Sequence, residues 1–338
     1  MRLLRLALFL LLGAPAAALA TALPVKVMVL TAFPPELAPW LAHLDHPVPL
    51  EIAGAYAPVW CDTRAVCVTE TGEGQINAAA SVAAILASSA LDLSQAVFLR
   101  AGIAGGPPWG NGTLGGANWA DWVISWDFGY HLPDVSNDQS EPHFIPLSAS
   151  EPPLGTLAFH LNPALVALAF SATKDTPLAD DAAARAGRAR YPVQSGRLPR
   201  VAIGASVISD QFWIGAAYSR EAQSIVSDYT GGTSSYASSA EEDTGDAGAL
   251  ARRSLLSHYL SLRTISDYDQ PPAGETAAAM ALANEFPGST IAVENAYRVA
   301  QAFIAYALAN PRAVATAIGA DTVPSPRYPL SATQAAGN

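Results

Sequence analysis

Apolar positions fall in three short, nearly continuous runs: Val25 to Leu30, Val66 to Thr69 and Ala96 to Leu99. Each is too short for a helix and is bounded by turn residues, which predicts strands buried on both faces. Trp122 to Phe128 alternates as a strand, and Arg200 to Val207 begins another strand-like run. Leu262 to Ile265 is a further extended segment and leads into Ser266-Asp267. Between these runs the period changes to that of a helix. Ala78 to Ala90, Ala247 to Leu260 and Thr290 to Leu308 read as helices, the last with Val293, Tyr297, Ala300 and Ile304 on one face. Strands alternating with helical runs predict an α/β layer fold. Residues 134–155 and 172–200 read as long loops with one short helix between them, and the chain after Pro311 loses its periodicity.

The first twenty residues are an address. Arg2 and Arg5 precede the apolar run Leu6 to Leu12, and Ala18-Leu19-Ala20 supplies a small-x-small cleavage site, so residues 1–20 read as a signal peptide. Residues 21–338 then form a single domain with a loosely structured tail from about 311. No later stretch reads as a membrane span. The expectation is a soluble exported protein, periplasmic if the source is Gram-negative. Cys61 and Cys67 fit that address: a local disulfide across the turn between two short strands is expected in an oxidising compartment. The formal net charge of −11 argues against nucleic acid or anionic lipid as a partner, because both need a basic footprint.

Several polar residues stand where chemistry could use them. Glu36 falls in the first turn of a helix opened by Pro34 and Pro35. Thr71-Gly72-Glu73-Gly74 joins a strand to a helix, a turn whose backbone can approach an anion, but Asn77 stands where a dinucleotide fingerprint has its third glycine. Arg100 ends a buried strand beside Gly102 and either binds an internal carboxylate or faces an anionic ligand. Tyr130-His131 ends an aromatic stretch, Phe212-Trp213 follows a strand, and Glu241-Glu242-Asp243 lies just before or in the first turn of a helix. Asp267 is either the cap of the Ala-rich helix that follows or a strand-end carboxylate in a site. His-Glu-x-x-His, Cys-x-x-Cys, Gly-x-Ser-x-Gly and the phosphate-binding Gly-Lys-Ser/Thr do not occur, and no metal site is expected.

In order, these segments resemble the purine nucleoside permease family, within the nucleoside phosphorylase and nucleosidase superfamily. The resemblance spans most of residues 25–309. It rests on Leu30-Thr31-Ala32-Phe33-x-x-Glu36, Thr71-Gly-x-Gly, Ala101-Gly-Ile-Ala-Gly, Ser209-Asp-x-Phe212, Glu241-Glu-Asp and Arg263-Thr-Ile-Ser-Asp267. It implies a three-layer α/β/α sandwich around a mixed, partly barrel-like sheet, assembled as a homo-oligomer. It also implies roles. Asp267, beside Ser266, would protonate or hydrogen-bond a purine at N7. Phe212 would stack on the base. Glu241, Glu242 or Asp243 would hold the sugar hydroxyls, Glu242 and Asp243 replacing the Met and second Glu of the family motif. Tyr130-His131 would reach a neighbouring subunit's sugar pocket.

The attacking group divides two readings. Glu36 matches the acid that hydrolytic members use near a water, and Arg100 an arginine that phosphorolytic members use to hold phosphate. No Arg or Lys occurs from Thr31 to Trp40, and Ile103 stands where a hydroxyl often helps, so the anion site is incomplete and hydrolysis is favoured. No cofactor is expected, with phosphate as a possible co-substrate. The competing class is a non-catalytic exported nucleoside binder that serves a membrane transport partner.

Overall fold

The structure is a computed structural model that describes residues 22–132, 144–146 and 158–320. The predicted signal peptide and the last eighteen residues lie outside the described residues. The first buried run forms the strand Val27–Thr31, parallel to Val66–Glu70 on one edge and to Val97–Gly106 on the other. All three are apolar and sealed through most of their length, as their nearly continuous runs predict. From one edge to the other the large sheet runs Ala158–His160, Trp122–Ser125, Ala205–Ile208, Tyr236–Ala240, Val97–Gly106, Val27–Thr31, Val66–Glu70, Val59–Cys61 and Val48–Leu50.

Val97–Gly106 is the branching point. It also pairs in parallel with Tyr259–Tyr268, which pairs in turn with Ala117–Trp119 and through it with Val201–Ile203. A strand with three partners cannot lie in one flat sheet, and the branch gives the sheet its partly barrel-like form. Helices complete the layers of the expected α/β/α sandwich. Ser289–Ala309 packs on Tyr259–Tyr268 and Val97–Gly106, with Pro34–His43 and Pro163–Thr173 beside it. Gln75–Ala87 and Asp243–Ala251 pack on each other.

Several elements depart from the sequence reading. The third buried strand does not stop at Leu99 but continues through the glycines to Gly106, because those positions admit close neighbours. A Cβ on Gly102 would sit 2.5 Å from Glu36 Oε1 and 2.9 Å from an Arg263 nitrogen. The run from Arg200 splits at Gly204 into two strands with different partners. The helix expected over Ala247 to Leu260 is Asp243–Ala251, followed by the start of a long strand at Tyr259. A helix, Ala182–Ala189, occupies part of the expected loop, capped by Asp181. The tail read as loosely structured from 311 begins as the helix Pro311–Gly319, with proline in its first turn and Val314 and Ala317 buried. Cys61 and Cys67 pair across adjacent strands and are joined by the expected disulfide. Among the described residues no helix is long and apolar enough to cross a membrane.

Candidate active site

A cavity of about 610 Å³ opens where the Gly-rich end of Val97–Gly106 meets the end of Tyr259–Tyr268. Its lining brings together Glu36, Ile103, Phe212, Glu241, Glu242, Ser266 and Asp267, residues drawn from five separate segments of the sequence.

Glu36 lies in the first turn of Pro34–His43, reaches back to the Ala32 N–H at 2.7 Å, and accepts the Ile103 N–H at 2.7 Å. Two backbone donors favour its charge. Burial still dominates and pushes its pKa up to about 7, only partly offset by Arg263. Gly102 does not line the cavity; its missing side chain makes the space that the Glu36 carboxylate and the Arg263 guanidinium occupy.

Asp267 is aimed by an irregularity in its strand. The register against Val97–Gly106 slips at Ser266, so Ile265 faces Ala104 while Asp267 faces Gly105. The Ser266 hydroxyl lies 2.5 Å from Asp267 Oδ1. Burial raises the Asp267 carboxyl to about 6, and the serine lowers it less. Asp267 does not cap the following helix, Ala277–Ala283, whose N-cap is Thr276. Glu241 is held well above its usual range, first by burial and then by the Glu242 carboxylate.

Three residues assigned to the substrate stand elsewhere. Arg100 is fully buried and makes two 2.8 Å bonds to Asp246 and one of 3.0 Å to Thr71, so it serves an internal carboxylate and not an anionic ligand. Asp243 turns away from the cavity onto Arg263, 2.5 Å away, and onto the Ser261 hydroxyl. Burial opposes its charge, but Arg263 holds its pKa below the usual range. Tyr130 is exposed and off this cavity, in the strand Gly129–His131, where the His131 backbone pairs with Phe144.

The principal residue not assigned from sequence is Arg263. Its guanidinium lies 2.6 Å from Glu242 and 2.5 Å from Asp243, and donates to the Ile103 carbonyl at 3.0 Å. It stands in a quoted motif, but nothing in the motif marks it as the cation beneath the acids. Trp213, Asp269 and Thr290 also line the cavity, the last from the helix Ser289–Ala309, whose periodicity signals packing alone. The Gly-rich turn offers no free anion cradle: the Gly74 N–H points to Glu242 at 3.3 Å and the Gln75 N–H to Asp210 at 2.7 Å. Six carboxylates line the cavity against one cation, Arg263, which is already paired.

A family model described as purine nucleoside permease matches residues 24–313. The chain belongs to the purine nucleoside permease family. Relatives in that family include a purine nucleoside permease of Candida albicans, 28% identical over 273 residues that cover 75% of this chain and 67% of the relative. A probable purine nucleoside permease of Schizosaccharomyces pombe is 28% identical over 299 residues, 80% of this chain and 86% of the relative. Solved structures carry the same fold. A 5'-methylthioadenosine/S-adenosylhomocysteine nucleosidase of Colwellia psychrerythraea, in complex with adenine, superposes with a TM-score of 0.54 at 16% identity, over 83% of this chain and 95% of that one. A futalosine hydrolase of Helicobacter pylori gives 0.54 at 16%, over 83% and 98%. This purine nucleoside permease family member thus has the nucleoside phosphorylase/nucleosidase fold.

Proposed function

We propose that the protein binds a purine nucleoside in the acidic cavity and cleaves its N-glycosidic bond by hydrolysis. The observation that carries this reading is a pair of buried acids, Asp267 and Glu36, lining one cavity with pKa values raised to about 6 and about 7. Breaking the bond between the base and the anomeric carbon sends its electrons to the base. Protonated Asp267 gives its proton to N7 and makes the base a leaving group. Water attacks the anomeric carbon, and Glu36, in its ionised form, takes the water's proton. Glu241 and Glu242 accept the sugar hydroxyls and stabilise the positive charge that develops on the sugar. Phe212, 82% exposed at the rim, supplies an aromatic face for the base.

Water is favoured over phosphate because the donors that a dianion needs are engaged. Arg100, Arg263 and the backbone N–H groups of Gly74 and Gln75 all point at carboxylates of the chain itself. The nucleosidase and hydrolase neighbours support the same reading through their fold. The second reading is an exported binder that passes nucleoside to a membrane transport partner; the permease names of the relatives favour it. We also propose a homo-oligomer in which the strand bearing Tyr130 and His131 serves a neighbouring subunit's sugar pocket. Incubation with inosine, adenosine and guanosine, with and without phosphate, separates the readings by free base released. Release independent of phosphate is expected. Release only with phosphate would exclude hydrolysis, and nucleoside binding without release would leave the binder.

A further inference from the structure

Two buried polar atoms at the cavity have no partner in the chain: Asp269 Oδ1 and the Trp213 indole Nε1. Neither residue takes part in the bond cleavage derived above. Asp269 is 3% exposed, and its position is fixed from several sides. Its Oδ2 accepts the Ser219 hydroxyl at 2.7 Å and the Tyr236 hydroxyl at 2.8 Å. Its backbone N–H donates to the Gly106 carbonyl at 2.9 Å, and its carbonyl accepts the Gly215 N–H at 2.8 Å. One carboxyl oxygen is therefore saturated by two hydroxyls, and the other is left bare in a place where water reaches it poorly. A buried acceptor left unmet costs stability, and such groups concentrate where a ligand completes them.

We infer that Asp269 is a specificity-determining residue: its free Oδ1 accepts an N–H from the six-membered edge of the bound purine, at the 6-amino group or at N1, while Asp267 acts at N7. This rests on the proposed nucleoside site and deepens it. Asp269 lies two residues beyond Asp267, at the bend that ends the strand, and both side chains line the cavity. The 6-position of a purine adjoins N7, so one base plane meets both acids in turn. The Trp213 N–H, also without a partner, adds a donor to the lining that holds the Asp269 acceptor. Together they match an edge that offers one donor and one acceptor, as adenine does through its amine and N1 and hypoxanthine through N1–H and O6. Burial, and more weakly the Asp267 charge, hold the Asp269 carboxyl near 7 against the pull of Ser219 and Tyr236, and an incoming N–H favours its ionised form.

Calorimetric binding of adenine, hypoxanthine and unsubstituted purine to the wild-type protein and to Asp269→Asn tests this. Unsubstituted purine keeps the ring but has neither the 6-amino group nor N1–H. In the wild type, adenine or hypoxanthine is expected to bind about 10-fold or more tighter than purine, the scale of a hydrogen bond to a charged group. The two bases tell the amine from N1–H. In Asp269→Asn the Ser219 and Tyr236 hydroxyls hold the amide oxygen and turn the NH2 toward the base. The preference is then expected to collapse, with purine binding unchanged, an outcome that a purely structural role for Asp269 would not produce. A preference that survives in Asp269→Asn overturns the inference. So does a wild type that binds the three bases alike, a result that needs no variant to fold. If none of the three binds, the nucleoside site itself falls and the inference with it; binding without preference removes the inference alone.

Discussion

Asp243 and Asp267 are both acids drawn out of bulk water beside the same long strand, yet the protein holds them in opposite states. Asp243 lies against Arg263, which keeps it ionised below the usual carboxylate range. Asp267 has only the Ser266 hydroxyl, and burial raises it to about 6. The neighbourhood shows how strong burial is. Asp246 stays above its usual range although Arg100 holds it by two bonds, and Glu36, Glu241 and Asp269 line the cavity with raised pKa values. Burial makes an acid reluctant to ionise, and only the close pairing of Arg263 with Asp243 outweighs it here. Arg100 is spent on Asp246 below the cavity and Arg263 on Asp243 and Glu242, so Asp267 and Asp269 face the cavity without a paired cation.

The largest effect that can break this contrast is Asp267→Asn. Base release is expected to fall about 100- to 10,000-fold, the range for a lost general acid, with nucleoside binding retained. Rates and binding measured on the same preparation check it, and equal loss of both would make Asp267 a structural residue. Arg263→Leu attacks the other side. It leaves Glu242 and Asp243 buried without their cation and is expected to cost about 3–5 kcal/mol in urea denaturation.

The pH dependence sharpens the comparison. Base release needs Asp267 protonated and Glu36 ionised, so with values of about 6 and about 7 the rate should be bell-shaped with its maximum near about 6.5. Stability carries the same signature. The folded protein binds the Glu36 proton more tightly than the unfolded chain, the pKa rising from 4.5 to about 7. That contribution is complete below pH 4.5 and is lost as pH rises through 7, a change of about 3 kcal/mol at 1.36 kcal/mol per pKa unit. Glu36→Gln should remove this part of the slope in unfolding experiments taken across that window. The smallest effect is a control outside both layers. Opening the Cys61–Cys67 bridge should cost roughly 2 kcal/mol of stability by loop-closure entropy, yet leave the shape of the pH–rate curve intact.

The buried strands were legible because nearly continuous apolar runs flanked by turns have few other fates. The extension of Val97–Gly106 was not, since glycine weakens every strand signal although the close approach of Glu36 and Arg263 requires it. Glu36 and Asp267 were readable as candidates from their places at a helix start and a strand end. The fate of Arg100 was not, because its partner Asp246 lies 146 residues away and nothing local distinguishes an ion pair from an anion site. Nor could the run Glu241-Glu242-Asp243 reveal that its last member turns down onto Arg263 while the others face the cavity. That choice depends on a helix beginning at Asp243, four residues earlier than its apolar pattern suggests.

The slip at Ser266 has a consequence for how such a site can change. In an extended chain, adding or removing one residue sends everything beyond it to the opposite side. Were the strand to run without the slip, Ser266 would stand opposite Gly105, Asp267 opposite Gly106 and Tyr268 past it, although no acid had been substituted. The aim of the leaving-group acid is thus written in a residue count. A chain could keep Asp267, Arg263 and Glu36 by identity and still fall silent through the loss of that one irregularity in the strand that carries two of them.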